Sequence, residues 1–404
     1  MMNIVFRTDA SLQIGTGHVM RCLTLADELR QRGAKISFIC RELPGNLIGL
    51  IEHKGYSVLR LPPPAGNADA MCYPPLSCNG GLGGISSDLM VRQNVNLSHN
   101  PRLSNGEAVN STSKELAHAA WLGTDWITDA EQTSAALGDT IAEWLIVDHY
   151  ALDARWESAL KSQYHKLMVI DDLADRIHDC DIFLDQNMTE GMEARYLGKV
   201  PTNCTCLIGP QYSLLRPEFN ALRASSLARR KSPALERLLI CMGGSDAENE
   251  TGKVIAGIKL SKRRWKHIDV VVGQAYPYIA QLKESLASLS SASLHIQTSN
   301  MAELMAAADW AVTAGGSMTW EKCVLGLPSL VVILGENQSP IATKMHELGA
   351  QKTLGIASNL TPADYAKHLD EIQTHELQAM IDRASAICDG TGTEKVLNLL
   401  TDHL

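Results

Sequence analysis

The sequence predicts an α/β protein: two doubly wound, Rossmann-like domains facing each other across a cleft. Three observations carry that expectation. The chain has 404 residues, which suits two domains of ~150–200 residues better than one ordinary core. Short apolar runs alternate with helix-length amphipathic stretches in both halves, the pattern of a parallel sheet covered on both faces. Small-residue turns built on Gly15, Gly17, Gly243, Gly244, Gly315 and Gly316 stand where strands hand over to helices.

The first half opens with a strand over 3–9, in which Ile4, Val5 and Phe6 form a short run suited to a buried parallel strand. A loop leads to a helix over 16–32, with Cys22, Leu25, Ala26 and Leu29 on one face and Gly33 in place for a left-handed cap. A strand over 35–40, a helix over 47–53 and a strand over 56–61 continue the alternation. Pro62-Pro63-Pro64 breaks it. Residues 64–118 are rich in Pro, Gly, Ser and Asn without a sustained period, and read as a flexible insertion. Helix 129–137, strand 144–148, helix 154–162, strand 167–170 and strand 181–184 follow. Residues 207–217 and the stretch around Arg229-Arg230-Lys231 read as connection. The first domain is therefore expected at 1–225 and the second at 233–404.

The second half repeats the rhythm. Strands are expected at 237–242, 268–273, 294–297, 310–313 and 329–334, each followed by a helix, and three helices close the chain. In such sheets ligands bind beyond the carboxyl ends of the strands, so the cleft between the domains should hold the site.

Composition bounds the function. Hydrophobic residues make up 45% and charged residues 20%, enough to bury real cores. The net charge of -9 argues against a nucleic-acid partner, which would want a basic face. No apolar run is long enough to span a membrane, and the opening residues lack a signal-peptide layout, so a cytoplasmic protein is expected. Ten cysteines are scattered through apolar stretches, which reads as buried thiols in a reducing compartment. Cys204-Thr205-Cys206 has no second pair at metal-ligand spacing, and no metal or cofactor is expected.

The residues that carry chemistry lie at the strand ends. Gly243-Gly244-Ser245-Asp246 and Ala314-Gly315-Gly316-Ser317 each precede a helix, whose start can hold a phosphate; a tight turn alone would also want small residues there. Glu321 falls one turn into the second of these helices, where a carboxylate can accept both hydroxyls of a ribose. A solvated Glu fits the same spacing, but two such turns with this Glu favour a nucleoside diphosphate. Gly15-Thr16-Gly17-His18 starts the first helix, a place for a general base, though a packing His fits there too. Arg7 and Arg21 could steady an anionic substrate nearby, with surface solvation as their default. Asp148-His149-Tyr150 and Asp171-Asp172 follow strands, and are read either as acid–base or substrate groups or as caps. Asn337-Gln338 suits sugar hydroxyls or acetamido groups, or a helix cap.

Taken together, 6–10, 14–22, Asp148-His149-Tyr150, Asp171-Asp172, 180–182, 215–219, 241–246 and Asn337-Gln338 occur in an order that resembles a known family. That family is the UDP-2,4-diacetamido-2,4,6-trideoxy-β-L-altropyranose hydrolases of pseudaminic acid biosynthesis, which serves flagellin glycosylation. The resemblance covers about 3–62 and 119–350. The family is similar in fold to the GT-B glycosyltransferases, notably the lipid II-forming UDP-GlcNAc transferase. The resemblance implies that the second domain holds UDP, with Gly244, Ser245, Gly316 and Ser317 near the diphosphate and Glu321 at the ribose. It implies that His18 is the catalytic base of a sugar-side first domain. Gly17, Arg21, Tyr150 and Asn337 would line the substrate. The partner implied is the UDP-linked diacetamido-trideoxy sugar, hydrolysed at its anomeric C–O bond with inversion and without a metal. The insertion at 64–118 is longer than the family carries there. Three rivals share these features: a GT-B glycosyltransferase, a sugar-nucleotide epimerase and a non-catalytic nucleotide-sugar binding protein. The sequence sets no oligomeric state.

Overall fold

The computed structural model describes residues 2–64, 116–192, 194–244 and 246–401. The expected insertion falls outside the described residues except at its two ends, and so does Ser245.

The first sheet is built from seven parallel strands. Strand β1 (Asn3–Thr8) leads into helix α1 (Gly17–Gln31), followed by β2 (Lys35–Arg41), α2 (Ile48–His53) and β3 (Ser57–Leu61). Helix α3 (Trp126–Leu137), β4 (Ala142–Asp148), α4 (Ala154–Ala159), β5 (Tyr164–Ile170), β6 (Ile182–Asp185) and β7 (Thr205–Ile208) complete it. The strand order is β3-β2-β1-β4-β5-β6-β7. β1 is the hinge of the topology, because the chain winds outward from it to β3 and then to β7 on the other side. Side chains alternate across the strand: Ile4 and Phe6 enter the core under α1, and Val5 enters the core on the opposite face. The strand β7 and its pairing to β6 were not expected; the last two residues of β7 fall in the stretch 207–217 read as connection.

Helix α5 (Pro217–Arg229) carries the chain to the second sheet, where the sequence reading had no element. Proline at its first position is compatible with a helix start, where no amide partner is needed. Arg223 on this helix and Arg230 at its end do not serve as surface charge. Arg223 donates to the carbonyls of Val324, Cys388 and Ser385, and Arg230 to those of Leu325, Ala308 and Met305.

The second sheet has six parallel strands. Its elements are β8 (Arg237–Cys241), α6 (Glu250–Leu260), β9 (His267–Val272), α7 (Ile279–Ala287), β10 (Ala292–Ile296), α8 (Met301–Ala307), β11 (Trp310–Ala314), α9 (Met318–Leu325), β12 (Ser329–Ile333), α10 (Ser339–Glu347) and β13 (Lys352–Ile356). The order is β10-β9-β8-β11-β12-β13. The edge strand β13 was not expected; its Lys, Thr and Gly carry too little apolar signal, and it joins β12 through a register shift.

Helices α11 (Pro362–Glu371), α12 (Thr374–Ile387) and α13 (Gly392–Thr401) end the chain. The sequence reading groups all three with the second half. The last one instead returns to the first sheet: Val396, Leu397 and Leu400 are buried in the core under α1, and Trp144 Nε1 donates to the Leu400 carbonyl at 3.2 Å. Gly392 makes the return possible, because a Cβ there would lie 2.5 Å from the Ser213 backbone. Leu400→Ala is therefore expected to destabilise the first domain, by about 2–5 kcal/mol. Denaturant unfolding followed by fluorescence of Trp144 is the measurement.

Candidate active site

The carboxyl ends of the two sheets meet. Trp320, in the first turn of α9, donates through Nε1 to Asn187 Oδ1 at 3.3 Å, two residues beyond the end of β6. From there a continuous set of contacts runs into the first domain. Asn187 Nδ2 donates to Asp172 Oδ2 at 2.5 Å, and Tyr150 donates its hydroxyl to Asp172 Oδ1 at 2.5 Å. The Tyr150 ring meets the His18 ring edge-on at 4.5 Å.

His18 lies in the first turn of α1, with 9% of its side chain exposed. Its Nδ1 is 2.5 Å from Asp148 Oδ1, at the end of β4. The pairing follows from sheet order, because Thr8 on β1 sits beside Asp148 on β4 and α1 springs from the loop after β1. Arg21, one turn further along α1, grips the same carboxylate from Nε at 2.5 Å and from its terminal NH2 at 2.6 Å. This bidentate hold keeps Asp148 ionised; burial opposes it, but Arg21 and His18 draw its pKa well below the usual carboxylate range. The NH2 group of Arg21 also approaches His18 Nδ1, at 3.2 Å. The carboxylate is nearer by 0.7 Å and can only accept, so Nδ1 is the nitrogen that donates and, in the neutral ring, Nε2 is the one left with the lone pair.

The other residues of the first domain sort by where they point. Tyr150 has one face turned to an aromatic pair: Trp121 lies 5.8 Å and His118 5.7 Å from its ring, and the two lie 4.3 Å from each other. Burial and the Asp172 charge push the Tyr150 hydroxyl well above its usual range, so it remains a donor. Gly17 is the exposed first residue of α1, and no side chain caps this helix. Arg21 turns Nε and one NH2 group inward to Asp148. Arg7, read as a surface residue by default or a group steadying the substrate, is neither: it is fully buried, paired with Asp9 at 2.8 Å and Asp129 at 2.7 Å. His149 also faces away from the cleft, taking the Ala151 amide on Nδ1. Of the Asp pair, only Asp172 reaches the cleft. Asp171 accepts from His178 Nε2 at 3.1 Å and from the Leu173 amide at 3.1 Å.

The second domain offers two unequal turns. At the start of α6, Asp246 accepts the Glu250 and Thr251 amides at 2.8 Å each, and Asn249 Oδ1 accepts the Gly252 amide at 3.1 Å. Its own side chains thus take the first three amides of this helix, leaving the turn before it as the part that could meet a phosphate. Gly244 itself is exposed, and its carbonyl lies so close to Gly273 that a Cβ there would stand 2.0 Å away. The start of α9 differs. Ser317 occupies the cap position without a side-chain hydrogen bond, and Gly316 is half-buried. The Thr319 and Trp320 amides turn back to the Gly316 and Ser317 carbonyls at 3.0 and 3.4 Å, so no side chain competes with an anion at this helix end. Glu321 sits in this first turn with its carboxyl pushed up to about 7, mainly by burial, against the opposing pull of Arg216. Asn337 is exposed in the short turn Glu336–Gln338 beyond β12.

Directly after Glu321, Lys322 points the other way, into the sheet. Its Nζ donates to Thr313 Oγ1 at 2.9 Å and Ser329 Oγ at 3.0 Å, and burial lowers its pKa to about 8. In the unfolded chain a lysine titrates near about 10.4. Between these values the unfolded state binds more protons, so stability should rise as pH climbs from about 8 toward about 10.4. Lys322→Met should flatten that rise in urea midpoints measured across this window.

Sequence reasoning missed Asn187, Trp320, His118 and Trp121. None belongs to a motif; an aromatic-rich i, i+3 pair at the end of the insertion was the one available signal for the last two. Among the described residues no cluster of His, Cys, Asp and Glu is arranged to hold a metal ion, and no helix is long and apolar enough to cross a membrane.

Two parallel α/β domains joined at the carboxyl ends of their sheets make this a GT-B architecture. Solved structures bear this out: MurG of Acinetobacter baumannii superposes with a TM-score of 0.62 at 12% identity over 100% of both chains. UGT89C1 of Arabidopsis thaliana in complex with UDP gives 0.60 at 11% identity over 99% of this chain and 100% of that one. No family model matches the sequence. Among relatives, the chain is 23% identical over 349 residues to a UDP-2,4-diacetamido-2,4,6-trideoxy-β-L-altropyranose hydrolase of Campylobacter jejuni, covering 86% of this chain and 97% of that one. It is 25% identical over 340 residues to an uncharacterised protein of Methanocaldococcus jannaschii, covering 83% of this chain. The chain spans only 56% of that protein's length.

Proposed function

We propose that the protein hydrolyses a UDP-linked sugar at its anomeric carbon, with the UDP-diacetamido-trideoxy altrose as substrate. The observation that carries this reading is the His18–Asp148–Arg21 arrangement at the mouth of α1, which leaves Nε2 of His18 as an oriented base. Similarity to the Campylobacter hydrolase along 97% of that protein supports the sugar.

In this reading His18 Nε2 takes a proton from water, and the water oxygen attacks the anomeric carbon. The C–O bond to the diphosphate breaks on the opposite face, so the anomeric configuration inverts. UDP is a good leaving group, and the uncapped start of α9 meets the charge that develops on it. Glu321 accepts the ribose hydroxyls. Tyr150 lines the sugar side, with Trp121 and His118 behind it, and Asn337 approaches from the second domain. The first domain thus serves the sugar and the second the nucleotide.

The test is incubation of the purified protein with the UDP-linked sugar, without acceptor and in EDTA, followed by NMR. Release of UDP and the inverted free sugar is expected. UDP-sugar that stays intact while bound would overturn hydrolysis and favour a transferase or a binding protein. An epimerised nucleotide sugar would favour the epimerase reading.

A further inference from the structure

Three cysteines meet at the amino ends of β6 and β7, away from the cleft. Cys180 Sγ lies 3.7 Å from Cys204 Sγ, and Cys206 Sγ is 3.9 Å from the Cys204 carbonyl. Cys180 is buried, Cys204 is half-buried and Cys206 is exposed. The two strands pair from Ile182 with Thr205, so Cys180 and Cys204 stand just ahead of the first ladder position. The Cys204 amide donates to Pro201 O at 3.0 Å in a turn, not in the ladder, so its side chain can turn without breaking a strand hydrogen bond. Closing the sulfurs to a bond of about 2.05 Å requires that small movement.

We infer that Cys180 and Cys204 form a reversible thiol pair that peroxide converts to a disulfide, with Cys204 oxidised first. Cys204 is the member that solvent reaches. Hydrogen bonding from the Cys180 thiol favours its ionised form, helped by the Cys206 thiol, while that same bond to Cys204, and burial, hold Cys180 protonated. The Cys204 sulfur attacks one oxygen of hydrogen peroxide; the O–O bond breaks, water leaves and a sulfenic acid forms. Cys180 sulfur then attacks that sulfur, the S–O bond breaks, and the hydroxyl leaves as water with the Cys180 proton. Two thiols and one peroxide give one disulfide and two waters. Burial shields Cys180 from direct oxidation, which suits a resolving thiol.

The experiment treats the full chain with hydrogen peroxide, alkylates free thiols and maps tryptic peptides under non-reducing conditions. Peptides 177–195 and 200–223 carry Cys180 and Cys204 respectively. Cys206→Ser removes the second thiol of the latter peptide. In that variant the two peptides should appear linked, lighter by two hydrogens, and dithiothreitol should separate them. Cys204→Ser should abolish the link. Cys206 is exposed and Cys204 is half-buried at the edge of the core, and circular dichroism checks the fold. A link between the peptides that survives Cys204→Ser would overturn the pairing. So would sulfinic acid at Cys204, or a link to any other cysteine, in the Cys206→Ser protein.

Discussion

Replacing His18 with alanine is expected to lower turnover of the UDP-linked sugar by about 10²–10⁴-fold, the usual contribution of a positioned general base. UDP affinity should stay within about twofold, because the loss falls on the transition state and not on nucleotide binding. Steady-state kinetics with calorimetric titration of UDP separates the two. Asp148 makes the argument sharper. It touches Nδ1, not the reacting atoms, so it acts as a positioning residue. Asp148→Asn keeps the shape but offers Nδ1 an amide donor, which moves the lone pair to the wrong nitrogen. It also strips Arg21 of its buried counter-charge. Turnover should fall by about as much as in His18→Ala, and the double variant should be little worse than either single one. A general packing defect would instead give losses that add. Full turnover in His18→Ala would remove the base from the mechanism.

How much of this was legible in the sequence depends on how far apart the partners lie. The strand-loop-helix units were readable because each signal is local: an apolar run, a glycine turn, a helical face. His18 stood out for the same reason, at a helix start after Gly15 and Gly17. Its partner Asp148 lies 130 residues away. That contact exists because β4 pairs with β1, a consequence of strand order that no local pattern encodes. Asn187 and Trp320 meet across 133 residues and two sheets, and were invisible for the same reason. The return of α13 to the first core was hidden too, since its apolar face would suit either sheet. Helix α5 misled in another way: Arg223 and Arg230 look like surface charge in a sequence, yet each satisfies several carbonyls in the second domain. Glycine turns also looked alike. Only the structure separates α6, whose amides are taken by the side chains of Asp246 and Asn249, from α9, whose start no side chain caps.

That inequality leads to the second large effect, at Glu321. The carboxyl sits in the first turn of α9, which no side chain caps, and is pushed up to about 7 by burial. Two ribose hydroxyls would supply the donors that an ionised carboxylate requires. Each hydrogen bond to a charged group contributes about 1.5–3 kcal/mol, so Glu321→Gln should weaken UDP binding by about tenfold to a hundredfold or more. The pH dependence has a fixed sign. Binding hydroxyl donors favours the ionised form and lowers the carboxyl pKa in the complex. Wild-type affinity for UDP should therefore weaken as pH falls through about 7, with a proton released on binding below that point. Glu321→Gln, which cannot ionise, should show neither this dependence nor the proton release. Calorimetry in two buffers of different ionisation heat measures both. A variant that binds UDP as tightly as the wild type, with the same pH profile, would place the ribose elsewhere. A variant that loses affinity but keeps the profile would assign the titration to the diphosphate itself, and leave Glu321 with only a polar contact.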